Sequence, residues 1–505
     1  MKSVEEKQIG SETMKRDMYQ MVINGESTSS SSNDTFVTYN PATGKPLAEV
    51  AKAGVEDVDR AVAAARQAFD KGKWKRFPAG KRARVLNKIA GILRSRFNEI
   101  VELEVLNSGK SLGAAQGQVM ASIEVFEFYA GAINTNTGSV NNVPGGFLNY
   151  TQKEPIGVAA QIIPWNYPFM MASWKVAPAI AAGCSIVLKP ASLTPLTAII
   201  LTEICHEAGV PEGVVNVLTG PGSTVGAALI DHEGVDKVAF TGETKTGKNI
   251  MAKASESLKR VTLELGGKSP SLVFADADLD AAVDGSLFGI FNNSGQSCEA
   301  RSRLFVHEDI YDEFLEKFTA KTKKLQVGNP LEKTTHLGSI ISQDQVAVID
   351  GFVQRAVKDG AKVVTGGEQI RPEGHEEGFW YAPTIMTDVT NDMEIAQEEI
   401  FGPVVVVMPF KDEKEGLAMA NDSKYGLAAA VWTKDHGTAT RVAGSLQAGT
   451  VMINCPISVF AGTPFGGYKQ SGIGREVCAE TLDLYTETKS VLSYSGSRHL
   501  NLFGI

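Results

Sequence analysis

Apolar residues recur with helical spacing from Val55 onward. Val58, Val62, Ala65 and Phe69 lie three or four positions apart, and Glu56 and Asp57 sit in the first turn, where acidic side chains meet the positive helix end. The same period continues over 80–107 and 114–132. Residues 1–20 are polar and aperiodic and read as mobile, and 27–33 reads as a surface loop. From residue 157 short apolar runs alternate with helical stretches. Strands are expected at 185–188, 214–218, 237–240 and 261–265, and helices at 198–208, 224–230 and 246–257. A second alternating block places strands at 271–274, 304–306, 363–364, 404–407 and 450–453, with helices at 308–324 and 343–358. This alternation predicts parallel sheets covered by helices, in two α/β domains without an internal repeat. Segments 147–157 and 484–496 alternate apolar and polar residues and predict an accessory antiparallel pair outside both domains.

Composition narrows the function classes. With 505 residues, 49 Lys+Arg and 58 Asp+Glu, the net charge is −9, against a general nucleic-acid binder, which needs a basic face to displace counterions. Charged residues at 21% and hydrophobic residues at 43% are a globular balance. Five cysteines, an odd number, imply a reducing compartment rather than a disulfide framework, and no Cys/His cluster has metal-ligand spacing. The N-terminus lacks the apolar core of a secretory signal. The charge-free stretch 155–174 carries three prolines, which argues against a membrane helix. The expectation is a soluble, cytoplasmic protein.

Several positions carry possible chemistry. Cys298 follows Gly295-Gln296-Ser297, a turn rather than a helix interior. Most lone cysteines are packing, but a turn can present a thiol beside free backbone N–H groups that stabilise a thiolate or an oxyanion. Glu264 interrupts an apolar strand, where a carboxylate is costly unless it is paired, for instance with Lys268, or poised as a general base by a raised pKa. Gly242–Asn249 (GETKTGKN) nearly fits a P-loop after a strand. Its final Asn lacks the magnesium-binding hydroxyl, so it reads as a diphosphate site on a helix N-terminus. Gly220, Gly222 and Gly226 are spaced one residue off the dinucleotide fingerprint. Asn166, between two prolines in PWNYP, is either a turn residue or an amide donor.

Seven motifs stand in order: IIPWNYP (162–168), IVLKP (186–190), FTG…TG (240–247), LELGGKSP (263–270), GQSC (295–298), EEIFGPV (398–404) and PFGGYKQSGIGRE (464–476). Through them nearly the whole chain resembles the NAD(P)-dependent aldehyde dehydrogenase superfamily. The resemblance implies an α/β fold with a Rossmann-like dinucleotide-binding domain (20–144 and 159–267) and an α/β catalytic domain (268–481). It adds an oligomerisation sheet (145–158 and 482–496), a flexible N-terminus (1–19) and a tail (497–505). A homodimer or homotetramer is implied. The implied catalytic set is Cys298 as nucleophile, Asn166 and the Cys298 N–H as oxyanion donors, Glu264 as the base that activates water, and Lys175 with Glu476 as a buried pair near the proton path.

The implied cofactor is NAD. The resemblance places Lys189 near the adenosine ribose, Gly242 near the diphosphate, and Glu399 with Phe401 near the nicotinamide ribose. Further cofactor contacts are implied for Ile162, Pro164, Trp165, Gly222, Gly226 and Phe240, and for Thr246, Gly247, Leu265, Gly266 and Gln345. Three positions depart from the commonest pattern. Ser192 stands where NAD-preferring members often carry Glu, which predicts NAD use with tolerance of NADP. Glu243 replaces the usual Ser beside the diphosphate and should repel it unless it turns outward. Glu299, after the nucleophile, either raises the thiol pKa or faces away.

The aldehyde tunnel is assigned to Tyr167, Met170, Met171, Trp174 and Phe465 and to the loop 455–463 with Phe460. Broad aliphatic and aromatic aldehydes are the expected substrates. Betaine aldehyde is the alternative, with Tyr167 and Trp174 as two walls of an aromatic cage. Two rivals from other classes remain. One is a non-catalytic structural or binding protein that retains the fold, against which the presence of Cys298, Glu264 and Asn166 argues. The other is an ATP-dependent enzyme using the Gly242–Lys248 segment.

Overall fold

The structure, a computed structural model, describes residues 16–496 and 502–504. Its largest sheet has eight strands in the order Gly472–Ile473, Arg260–Glu264, Lys237–Thr241, Val158–Ile162, Ser185–Lys189, Val215–Val217, Met21–Ile23 and Glu26–Thr28. The five inner strands run parallel, and the antiparallel strands lie at the edges. Those inner strands are almost entirely buried and mostly apolar, as a parallel sheet covered on both faces requires. The chain enters at Val158–Ile162, moves outward through two strands, then returns to the other side at Lys237–Thr241. The strand order therefore reverses between these two neighbours, and a crevice opens beyond their carboxyl ends.

A second sheet has seven strands in the order Lys362–Thr365, Thr384–Thr387, Val404–Phe410, Arg303–His307, Pro270–Val273, Ala428–Trp432 and Thr450–Ile453, parallel except for the first. The strand Arg260–Glu264 ends the walk through the first sheet, and Pro270–Val273 begins the second at its centre. Only the LGGKS connection separates them, so the carboxyl ends of one sheet face the amino ends of the other.

The accessory pairing also forms. Phe147–Pro155 and Thr486–Tyr494 are antiparallel over nine registered pairs, and Val140–Asn141 adds a third strand. Both long strands leave apolar side chains in solvent, including Leu148 and Leu492.

Several sequence expectations needed correction. The helical stretch 80–107 is two helices, Ala79–Ser95 and Phe97–Ser108, broken at Arg96. The expected loop at 27–33 begins as an edge strand and is tied down, with the Ser31 N–H and Oγ both donating to Asp57. Residues 1–15 of the expected mobile segment lie outside the described residues. Met18–Tyr19 is ordered, as a strand parallel to Lys45–Ala51 with Tyr19 buried. The strand Ala428–Trp432 was unforeseen because its alanines are not strand formers in isolation; burial between two parallel neighbours makes the element.

The charge-free stretch 155–174 divides into the strand Val158–Ile162, a turn, and the helix Pro168–Ala182, every residue of which is buried. Its apolarity serves the protein core. No helix among the described residues is long and apolar enough to cross a membrane. In the C-terminal tail, Leu502 and Phe503 are exposed and do not dock on their own chain.

Close packing in the second sheet rests on Gly285, where an added Cβ would fall 2.1 Å from Cη2 of the buried Trp432. Gly285→Ala is expected to destabilise by about 1–3 kcal/mol. A lowered thermal unfolding midpoint in calorimetry is the readout, and an unchanged midpoint would mean that the ring has room to move.

Candidate active site

Cys298 emerges from an unusual turn. After the helix Leu279–Phe291, residues Asn293, Ser294 and Gly295 take positive φ of 54, 55 and 70° in succession. Non-glycine residues adopt this region only at a cost, and neighbours must hold them there. Ser294 Oγ donates to Gly338 O at 2.9 Å, and Asn293 Nδ2 donates to Asn166 O and to Gln296 O, both at 3.1 Å. Gln296 Oε1 accepts from Ile341 N–H at 2.9 Å. Gly295 has no alternative, because a Cβ there would meet Gly402 O at 2.1 Å. The turn delivers the sulfur to the point where the two sheets face each other.

Two cavities meet at that point. One, of ≈370 Å³, opens beyond the strand reversal of the first sheet and is lined by Pro164, Trp165, Asn166, Gly242, Glu399 and Phe401, among others. The other, of ≈410 Å³, is mostly apolar and is walled by Met170, Trp174 and Phe465. Tyr167, Met171, Thr241, Glu264 and Cys298 line both. A molecule in either cavity can thus reach the sulfur, from opposite sides.

The surroundings disfavour a thiolate at rest. Burial pushes the Cys298 thiol well up, and the carboxylates of Glu399, Glu299 and Glu264 push it further, while its own backbone N–H acts the other way. Glu299 does not face away: it lines the apolar cavity and is ion-paired with the buried Arg301. Asn166 is buried, and its side-chain amide donates to Gln296 O at 3.0 Å.

Glu264, at the end of its strand, has a carboxyl raised by burial and then by the nearby Glu476. Its Oε2 has no hydrogen-bond partner. The pairing with Lys268 does not occur, because Lys268 Nζ is itself buried without a partner and burial lowers its pKa to about 7. Lys175 and Glu476 do pair, at 2.7 Å, with Lys175 Nζ also donating to Thr241 Oγ1 at 2.7 Å. Gly466 leaves room for Glu264, whose Oε1 lies 2.9 Å from where a Cβ would begin.

Several of the residues assigned to the cofactor line the cavity of ≈370 Å³. Glu399 accepts the Gly267 N–H at 3.1 Å, and burial raises its carboxyl to about 7. Phe401 meets Trp165 edge-on, with ring centroids 5.1 Å apart, and Gln345 Nε2 holds the Phe401 carbonyl at 3.1 Å. Leu265, Gly266, Gln345 and Glu243 also line this cavity. The helix Thr244–Ala254 starts at its edge behind Gly242 and Glu243. Its packing depends on Gly247, where a Cβ would strike Leu265, and Phe240 packs against Gly242. Ile162 and Lys189 converge on Gly226, while Gly222 faces open space. Burial lowers the Lys189 amine to about 8, and it donates to Pro190 O. These outlying positions flank the cavity rather than line it. An extended dinucleotide fits the set: an amide-rich helix start without side-chain bulk at Gly242, and a carboxylate at Glu399.

Three expectations are modified. Lys248, the P-loop lysine of the near-match, donates to Gln470 Oε1 at 2.8 Å and does not serve a phosphate cradle. Glu243 is exposed and accepts from Thr246 Oγ1 at 3.4 Å, at the rim of the cavity. Ser192 donates to Gly220 O at 2.8 Å and lines a separate cavity of ≈220 Å³.

In the apolar cavity Trp174 and Phe465 meet edge-on at 5.4 Å between centroids, and Tyr167 hydroxyl donates to Ser297 Oγ at 3.1 Å. Phe460 is misassigned. It is 59% exposed, and its loop closes through Thr463 so that Val459 faces the cavity instead. Sequence reading also missed one wall. Gly113, Gly117 and Ala121 of the helix Leu112–Ala132 line the cavity together with Gln118. Their spacing of four put three small residues on one helical face, a readable sign of a groove.

The chain matches the model of the aldehyde dehydrogenase family over residues 28–491. It is 44% identical over 484 residues to a betaine aldehyde dehydrogenase of Bacillus subtilis (strain 168), covering 96% of this chain and 99% of that one. It is 46% identical over 472 residues to retinal dehydrogenase 2 of Homo sapiens, covering 93% and 90%. Among solved structures, the NAD+ complex of an aldehyde dehydrogenase from Bacillus cereus matches with a TM-score of 0.94 at 45% identity, covering 96% of this chain and 98% of that one. Agreement of this extent, in sequence and in backbone, places the chain in the aldehyde dehydrogenase family.

Proposed function

We propose that this protein oxidises aldehydes to carboxylic acids with NAD+, and that the placement of Cys298 between an apolar cavity and a nucleotide-sized one carries that reading. The aldehyde enters past Met170, Trp174 and Phe465; Glu264 takes the Cys298 thiol proton and passes it toward the Lys175–Glu476 pair, and the thiolate so formed attacks the carbonyl carbon. The Asn166 amide and the Cys298 N–H donate to the oxygen as it gains charge, where fixed donors in a dry site act strongly. Lys189, Gly242, Glu399 and Phe401 would hold NAD+, which would accept the hydride from this carbon; loss of that hydride leaves a thioester on Cys298. Glu264 then takes a proton from water as the water attacks the thioester, and the thiolate departs. Its raised pKa makes it a stronger base than an exposed carboxylate. The proton leaves toward the buried Lys175–Glu476 pair.

The apolar lining supports broad aliphatic and aromatic substrates. Glu299 beside the rings of Tyr167, Trp174 and Phe465 supports a second reading, a quaternary ammonium aldehyde such as betaine aldehyde. Two relatives of nearly equal identity carry names for different aldehydes, so overall identity does not choose between them. Ser192 lacks the charge that repels a 2′-phosphate, which supports tolerance of NADP. The exposed apolar side chains on Phe147–Pro155 and Thr486–Tyr494 support assembly into dimers or tetramers through this sheet. All five cysteines are free, which supports a reducing, cytoplasmic setting.

The primary test follows reduced nicotinamide by its near-ultraviolet absorbance over an aldehyde panel with NAD+ and NADP+. Cys298→Ala is expected to abolish turnover. Glu264→Gln is expected to release a single burst of reduced cofactor and then slow steady turnover by about 10²–10⁴-fold. A wild-type protein silent on every aldehyde would overturn the reading.

Ser192→Glu is expected to lower activity with NADP+ relative to NAD+ by about tenfold or more, since juxtaposed like charges cost several kcal/mol. A ratio that stays put would remove this residue from cofactor selection.

Glu299→Gln removes one of the anions that disfavour the thiolate, so the Cys298 pKa should fall. The rate of iodoacetamide alkylation, followed against pH, should then rise at lower pH than in the wild type. A profile unmoved, or moved to higher pH, would mean that the Arg301 pair already cancels the Glu299 charge.

A further inference from the structure

Behind Asn166 lies an ion pair that neither cavity explains. Lys110 Nζ and Glu104 Oε2 are 3.1 Å apart, and each side chain is 1% exposed. Desolvating two such charges is expensive, and the attraction between them rarely repays it without further hydrogen bonds. Here two of the four further bonds go to the turn Asn166–Phe169. Lys110 Nζ donates to the backbone carbonyl of Asn166 at 3.2 Å and to Gln118 Oε1, on the wall of the apolar cavity. Glu104 Oε1 accepts from the Phe169 N–H at 3.2 Å, an otherwise orphaned donor in the first turn of the helix Pro168–Ala182, and from Thr197 Oγ1 at 2.6 Å. The pair thus grips the turn Asn166–Phe169 at both ends.

The chain that carries the lysine is equally constrained. Gly109 ends the helix Phe97–Ser108 in the left-handed region at φ 73°, and a Cβ there would fall 2.0 Å from Ser339 Oγ. Lys110 therefore turns inward over the Tyr167 ring, 5.3 Å from its centroid. The Asn166 carbonyl receives a second donor, Asn293 Nδ2, from the nucleophile turn. Its carbonyl is fixed from two directions; its side-chain amide donates one N–H to Gln296 O at 3.0 Å and leaves the other for the cavity that Cys298 also lines.

We propose that Lys110 and Glu104 are positioning residues for the oxyanion amide: they clamp the Asn166–Phe169 turn so that Asn166 Nδ2 is aimed at the oxygen of the aldehyde bound to Cys298. This rests on the role given to Asn166 above. Neither residue touches the reacting atoms; they act through the Asn166 peptide.

The test is a double-mutant cycle of Lys110→Met with Asn166→Ala, reading kcat, KM for aldehyde, NAD+ affinity and the unfolding midpoint. Losing a hydrogen bond from a charged donor should lower kcat by about tenfold to a hundredfold, with NAD+ affinity and aldehyde KM within about twofold. Lys110→Arg, which keeps a charged donor, should recover most of the rate. In the Asn166→Ala background Lys110→Met should cost no further rate, because the amide it aims is gone. An equal fold-loss in both backgrounds, or a loss confined to KM, would overturn the clamp and leave a purely structural pair. Asn166→Ala without a rate loss would instead overturn the oxyanion role itself. If Lys110→Met does not fold, Glu104→Gln, which keeps the shape but turns one acceptor oxygen into a donor and so breaks one arm of the clamp, takes its place in the same cycle with the same two outcomes.

Discussion

The structure depends on how closely two backbones approach at the LGGKS connection. A Cβ on Gly266 would fall 2.1 Å from Glu399 Oε2, and one on Gly267 would fall 2.3 Å from Cys298 O. With hydrogen in both places, the strand that ends at Glu264 and the strand that begins at Pro270 lie in different sheets with almost no chain between them. The carboxyl ends of one sheet are thereby pressed against the amino ends of the other. Glu264 comes from the first sheet, Cys298 from the loop before a strand of the second, and Glu399 from a third segment. Everything that makes the junction a reaction site follows from that contact distance.

Burial at the junction sets the electrostatics. Cys298, Glu264 and Glu399 are all held toward their neutral forms by desolvation, and each carboxylate raises its neighbours further. A resting site of this kind is protected from unwanted thiolate chemistry and gains most from donors placed at the oxyanion. Two buried ion pairs flank the junction, Lys175 with Glu476 and Lys110 with Glu104. The first pair sits beside the base and the second behind the amide. Each joins a helix to the site through hydrogen bonds that an apolar replacement could not make.

The departures from the commonest family pattern fall on the two approaches to the sulfur. Glu243 stands at the rim of the nucleotide cavity and Ser192 just outside it, while Glu299 projects into the aldehyde cavity. Cys298 and Glu264 lie deeper, where the two cavities meet.

Local sequence determined the elements and the chemical cast. Apolar runs marked most of the inner strands, though not Val158–Ile162, Thr384–Thr387 or Ala428–Trp432; the motif order marked Cys298, Asn166 and Glu264, and alternation marked the accessory strands, because each signal lies within a few consecutive residues. Helix packing and long-range pairing were out of its reach. The alanine-rich strand 428–432 exists only because its neighbours bury it. Phe460 and Val459 exchange roles because a turn at Thr463 rotates the loop. The Lys110–Glu104 pair gains its meaning from a carbonyl 56 positions away. Tertiary structure alone decided these points, because burial, facing direction and ion pairing depend on distances between segments, and a linear pattern carries no record of those distances.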